Sequence, residues 1–160
     1  MAIGTDDAVL KFGTGDVVTV AGGTSAVTNT SFSASGDVVS GGWTNDDDAT
    51  QFSFLLKFQY PSGTIADTIN LYARLINCDG TAAADEPQPD AGWKHHSLGS
   101  FTMDTNQAAT TDTYYVLGPV VLPATESSQD YEFYVENQSD VTMTAGWTLT
   151  IIPYTVGPHA

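Results

Sequence analysis

From Gln51 to Tyr60 every second residue is large and apolar. Phe52, Phe54, Leu56, Phe58 and Tyr60 fall on one side of an extended chain, and Ser53, Leu55, Lys57 and Gln59 on the other. A period of two with one apolar face marks a half-buried β-strand, because successive side chains of a strand point to opposite faces. Pro61-Ser62-Gly63 then closes the segment with turn chemistry. A strand of this kind needs neighbours on both edges and a second apolar layer over its inner face.

The rest of the chain supplies them. Asp67 to Asn77 puts Ile69, Leu71, Ala73 and Leu75 on one face and Tyr72, Arg74 and Ile76 on the other. Further strands are expected at Lys94 to Asp104, Thr113 to Leu122, Asp130 to Gln138 and Thr144 to Tyr154, with shorter ones at Val17 to Ala21 and Asp37 to Trp43. Val, Thr, Tyr, Phe and Ile dominate these segments, as strands prefer, and helical periodicity is nearly absent. Many short strands separated by Gly, Ser, Thr and Asp point to a sandwich or barrel. The fold class expected is all-β, a two-sheet antiparallel β-sandwich of jelly-roll type with about eight strands. Residues 1–15 read as an N-terminal arm or edge strand, and residues 16–160 as a single β-sandwich domain. In the arm, Ala8, Val9, Leu10 and Phe12 are apolar at a terminus that would otherwise fray.

Charge excludes several function classes. The chain carries 19 acidic and 4 basic residues, a formal net charge of −15. Nucleic-acid binding needs Lys and Arg to neutralise phosphates. Lys11, Lys57, Arg74 and Lys94 are scattered, so neither nucleic acid nor an anionic membrane surface is an expected partner. No apolar run reaches the ~18 residues of a membrane helix. Met1 to Asp7 is acidic and lacks an apolar core, so no secretory signal is expected. A solvated acidic surface satisfies this charge, and so does a counter-ion surface for cations or a basic partner.

Catalytic constellations are not evident. Glu132 and Glu136 share a predicted strand face but lie four residues apart, roughly 13 Å along a strand, beyond either glycosidase spacing. No Gly-x-Ser-x-Gly elbow is present. His95 and His96 are neighbours on a predicted strand, so they point to opposite faces and do not share a metal. The acids of Asn45-Asp46-Asp47-Asp48 and of the loop Cys78 to Trp93 lack the ordered spacing of a calcium loop. Cys78, the one cysteine, reads as a small packing residue. The chain is therefore expected not to be an enzyme, and to need no metal and no cofactor. Trp43 and Trp93 flank the two acidic loops. Exposed there, they serve either a sugar or a protein partner, while Trp147 falls in phase with Leu149 and Ile151 and belongs to the core.

Several stretches carry a family resemblance: LYARLINCDG (Leu71 to Gly80), HHSLGSF (His95 to Phe101), YYVLGPVVLP (Tyr114 to Pro123), YEFYVENQS (Tyr131 to Ser139) and TAGWTLTIIPY (Thr144 to Tyr154). Their pattern resembles small phage capsid decoration, or cement, proteins with a jelly-roll sandwich, over about the last 100 residues. The resemblance implies a structural protein on the outer capsid surface of a virion, made in the host cytoplasm. It implies the major capsid protein as partner and a homo-oligomer bridging capsomers at symmetry axes; the apolar arm, able to contact a neighbouring chain, leads us to expect a trimer. It brings no catalytic residues. The contact residues expected are Ala8, Val9, Leu10, Phe12, Trp43 and Trp93. A carbohydrate-binding or host-recognition module of a virion is the alternative reading.

Overall fold

The computed structural model describes residues 8–21, 23–46, 49–80, 85–123 and 129–158, with backbone path and strand pairing alone for 8–11 and 155–158. Among the described residues there are ten strands: β1 (Ala8–Phe12), β2 (Asp16–Val17), β3 (Ser31–Phe32), β4 (Trp43–Thr44), β5 (Gln51–Phe58), β6 (Thr68–Ile76), β7 (Ser97–Thr102), β8 (Thr113–Val120), β9 (Asp130–Gln138) and β10 (Thr148–Pro158). A single turn of 3-10 helix, Ser35–Asp37, is the helical element among the described residues.

Two antiparallel sheets result. In the first the order is β1-β10-β5-β8, with β2 also pairing β10. In the second it is β3-β9-β6-β7, with β4 also pairing β9. β1 and β2 thus act as one broken strand along β10, and β3 and β4 as one broken strand along β9. Among the described residues eight strand positions remain, and the chain changes sheet at every step except from β6 to β7, so that the first position lies beside the last and the second beside the seventh. That order is the jelly roll, two Greek keys folded over one core.

The core forms where the sequence places its apolar phases. Phe52, Phe54, Leu56 and Phe58 of β5 are fully buried, as are Ile69, Leu71 and Ala73 of β6, Tyr131, Phe133 and Val135 of β9, and Leu149 and Ile151 of β10. Phe54 meets Phe133 across the sandwich, ring centroids 5.0 Å apart and tilted by 62°. Each buried Phe, Leu, Ile or Val among them contributes about 1.5–3 kcal/mol of transfer free energy. Trp147 is buried, and its Nε1 donates to the Ser25 carbonyl at 2.9 Å.

Three local expectations are corrected. The strand expected over Asp37 to Trp43 is replaced by the 3-10 turn, a bridge at Val38 and a turn through Gly41 and Gly42, both at positive φ. The strand expected from Lys94 begins at Ser97, because His96 sits at φ 50°, in the left-handed region that interrupts an extended chain. Cys78 is exposed rather than packed. It lies in the turn after β6, where Gly80 N–H donates to the Asn77 carbonyl at 2.8 Å and takes the chain off the buried face.

Candidate functional site

The contact residues expected from the sequence fall at two separate places. Phe12 and Trp43 meet at one. A cleft of about 570 Å³ opens there between the first sheet and β4, lined by Phe12, Asp16, Trp43, Asp46 and Pro153 among others. Gly42 builds it. At φ +76° a Cβ on this residue would lie 2.8 Å from the Tyr131 carbonyl oxygen, so the backbone passes where only glycine fits. The chain then delivers Trp43 against Phe52, Tyr131 and Phe133, with centroid distances of 5.6, 6.2 and 6.1 Å. Trp43 is accordingly half-buried rather than an open platform, and its Nε1 donates to Asp16 Oδ2 at 3.1 Å. Phe12 is 67% exposed and rests edge-on against Tyr154.

Ala8, Val9 and Leu10 belong to β1, which pairs antiparallel with β10 of the same chain and forms one edge of the first sheet. Their side chains lie outside the described residues. In the single chain this segment is an edge strand, the second of the two forms the sequence allows.

Trp93 lies elsewhere, on the loop that crosses the outer face of the second sheet, and is 37% exposed. That face is densely polar. Glu136 of β9 is buried and accepts from Tyr72 Oη at 2.8 Å, Asn70 Nδ2 at 3.0 Å and Lys94 Nζ at 2.6 Å. Burial alone pushes its carboxyl up, but the bonds from Lys94, Asn70, Tyr72 and Gln138 outweigh it and hold the group below the ordinary carboxylate value. Burial, then the bond to Glu136, pushes the Tyr72 hydroxyl up to about 12. Arg74 bonds Glu132 at 2.7 Å and the Glu86 carbonyl at 2.8 Å, which pins the loop to β6. Tyr72 and Tyr134, on this face of β6 and β9, are buried, whereas Tyr114 of β8 in the first sheet is open to solvent. Glu132 and Glu136 are both engaged in ion pairs.

The outer face of the first sheet is different in kind. Strand register places Val116 of β8 opposite Leu55, Leu55 opposite Thr150, and Thr150 opposite Val17. Cross-strand partners share a face, so these four side chains form one band across four strands, roughly 14 Å at the usual strand spacing. Val116 is 70% exposed and Val17 54%, with Tyr114 at 59% two residues along β8. Leu55 and Thr150 between them are part-exposed. The sequence reading missed this band. Its signal was the alternation of Tyr114 and Val116 with Tyr115 and Leu117, which turn inward.

The expectation that His95 and His96 face apart is also corrected. Neither lies in a strand, and their rings meet with centroids 4.0 Å apart. His96 Nε2 is 2.9 Å from Glu86 Oε1.

No protein-family description and no curated protein matches the chain. Among solved structures it is similar to a chain in the structure of infectious bursal disease virus Gx strain, at 14% sequence identity and a TM-score of 0.31. That alignment takes in 92% of this chain but 29% of the other, so this chain spans less than a third of its length. A similarity this loose bears on neither fold nor function.

Proposed function

We propose that this chain is a structural, non-catalytic virion protein that decorates the outer surface of a phage capsid, held there through the outer face of its first sheet. The observation that carries the reading is the uncovered band Val116–Leu55–Thr150–Val17. Isolated exposed apolar residues are ordinary, but Val116 and Val17, aligned in one band with part-exposed Leu55 and Thr150 between them, support an interaction surface. Among the described residues the second sheet shows no counterpart, and Glu86 of the loop leading to Trp93 is docked onto it through Leu75 and Arg74. The jelly-roll order and the resemblance of the central and C-terminal strands to cement proteins agree with this assignment. The partner is the major capsid protein, with neighbouring copies completing a homo-oligomer, a trimer favoured. Edge strand β1, carrying Ala8, Val9, Leu10 and Phe12, is one edge of the first sheet open to such a neighbour, since an unpaired edge can accept another strand. Mixing purified protein with undecorated capsids should give saturable binding at a symmetry-set copy number, and Val17→Asp with Val116→Asp should abolish it without unfolding the domain. Absence from virions by mass spectrometry, together with no capsid binding, overturns the proposal.

A second reading, a carbohydrate-binding module of a virion, is favoured by the cleft, where Trp43 and Phe12 stand beside Asp16 and Asp46. Aromatic and acidic groups at one place suit a sugar's apolar face and hydroxyls. A glycan array with Trp43→Ala and Trp93→Ala separates the readings: glycan binding lost on Trp43→Ala supports it, and no binding to any glycan removes it.

A further inference from the structure

We propose that Glu86, His95 and His96 form a binding site for a divalent transition-metal ion of the Zn2+ class. One ligand atom from each lies within 4.8 Å of the other two. An ion pair explains His96 and Glu86 alone. It does not explain His95, an exposed side chain whose ring turns onto His96 instead of into solvent.

The backbone holds the three in place. Glu86 N–H donates to the Leu75 carbonyl at 3.0 Å, Leu75 N–H donates to Glu86 Oε2 at 2.8 Å, and Arg74 Nη1 donates to the Glu86 carbonyl at 2.8 Å. The other carboxylate oxygen, Oε1, is thereby aimed at His96. Ala73 N–H donates to the His96 carbonyl at 3.1 Å. Two ligands are thus tied to Ala73–Leu75 of one rigid strand, and outer contacts of this kind orient metal ligands. The third rests against Trp93, ring centroids 5.2 Å apart. Trp93 in turn closes a tight turn in which Asp90 Oδ1 accepts from Gly92 and Trp93 N–H at 2.7 and 2.8 Å.

The donor set chooses the ion. Two imidazole nitrogens and one carboxylate oxygen suit Zn2+, Co2+, Ni2+ or Cu2+, whereas Ca2+ and Mg2+ take oxygen alone. Tetrahedral bonds near 2.1 Å place ligand atoms about 3.4 Å apart, so closing the cluster asks each ligand to move less than about 1 Å. Three protein ligands leave a fourth position to water. The charge is favourable as well. Asp85 adjoins Glu86, and the nearby cations are already matched, Arg74 by Glu132 and Lys94 by Glu136.

Titration of the full chain with Zn2+ by calorimetry, in excess Ca2+ and Mg2+, should show one saturable site. Co2+ should give the visible absorption of a low-symmetry nitrogen-and-oxygen site. His95→Ala, His96→Ala and Glu86→Gln should each weaken Zn2+ binding about tenfold or more, while His159→Ala should leave it unchanged. His95 is exposed, so its substitution tests the site without disturbing the fold. Zn2+ binding that Ca2+ displaces, or that survives His95→Ala and His96→Ala, overturns the proposal, as does loss of binding in His159→Ala.

Discussion

Replacing Glu136 with alanine tests whether the polar face of the second sheet is structural. The carboxylate is buried and gathers Tyr72, Asn70, Lys94 and Gln138. Lys94 is 45% exposed and recovers water when its partner goes, so its loss costs little. Tyr72 is buried and has no solvent at hand, whereas Asn70 is part-buried and recovers water in part. A buried donor left without an acceptor costs about 1–3 kcal/mol, which for these two sums to about 3 kcal/mol. In a domain of this size that lowers Tm by about 6–12 °C. Circular dichroism melts and urea midpoints of wild type, Glu136→Ala and Glu136→Gln give the value, with glutamine expected to retain part of it. The sign with pH follows from the depressed carboxyl. Its stabilisation is present above the ordinary carboxylate value and is lost as pH falls through the lower folded value, so the gap between wild type and Glu136→Gln should close in acid. A Glu136→Ala protein within about 0.5 kcal/mol of wild type at neutral pH refutes the argument.

At the alkaline end, Tyr72 is held protonated up to about 12 against an ordinary 10.0, so its contribution is complete below pH 10 and lost as pH rises toward 12; Tyr72→Phe should flatten the alkaline limb of the stability curve. Gly42→Ala should destabilise by about 3 kcal/mol, from left-handed strain plus contact with the Tyr131 carbonyl, and should disturb Trp43 fluorescence even where the protein still folds. Cys78 should react as one thiol per chain with Ellman's reagent in the native state, and protection until denaturant is added would contradict its exposure. Deleting residues 1–12 removes β1. A folded product that has lost its oligomer or capsid binding supports a neighbour-contacting role, whereas failure to fold means the strand serves its own sheet.

The core strands were legible because their pattern is long and one-sided. β5, β6 and β9 run eight or nine residues, each with at least three large or apolar residues in phase on the inner face, so one short window settles strand, phase and inner-face burial. Asp130 to Gln138 is a strand to the residue. β2, β3 and β4 have two residues each, too few to show any period, and their pairing along β9 and β10 is decided by tertiary contact. Burial of the outer face of β6 and β9 was not legible for a different reason. Tyr72, Tyr134 and Glu136 read as solvent-facing because the alternation is correct; what covers them is a loop docked by Glu86, and no periodicity announces a docked loop.

The two histidines show the same limit at the level of chemistry. Alternation forbids adjacent residues from converging, but only while the backbone stays extended. Just before β7 it does not: His96 lies at φ 50°, and β7 carries an extra residue against β6 between Leu71 and Tyr72. Such an irregularity re-aims side chains at a strand end. It turns the His95 and His96 rings toward each other and toward Glu86, ten residues away in sequence and tied to the same stretch of β6. The band across the first sheet depends on the opposite circumstance. Val17, Thr150, Leu55 and Val116 come from four separated segments, and regular register alone aligns them. One surface therefore follows from the sheet's regularity and the other from its interruption, and substitutions should separate them cleanly. Val17→Asp with Val116→Asp should leave Zn2+ binding intact, and His95→Ala should leave capsid binding intact. Loss of both activities in either protein would mean that the two faces of the sandwich do not act independently.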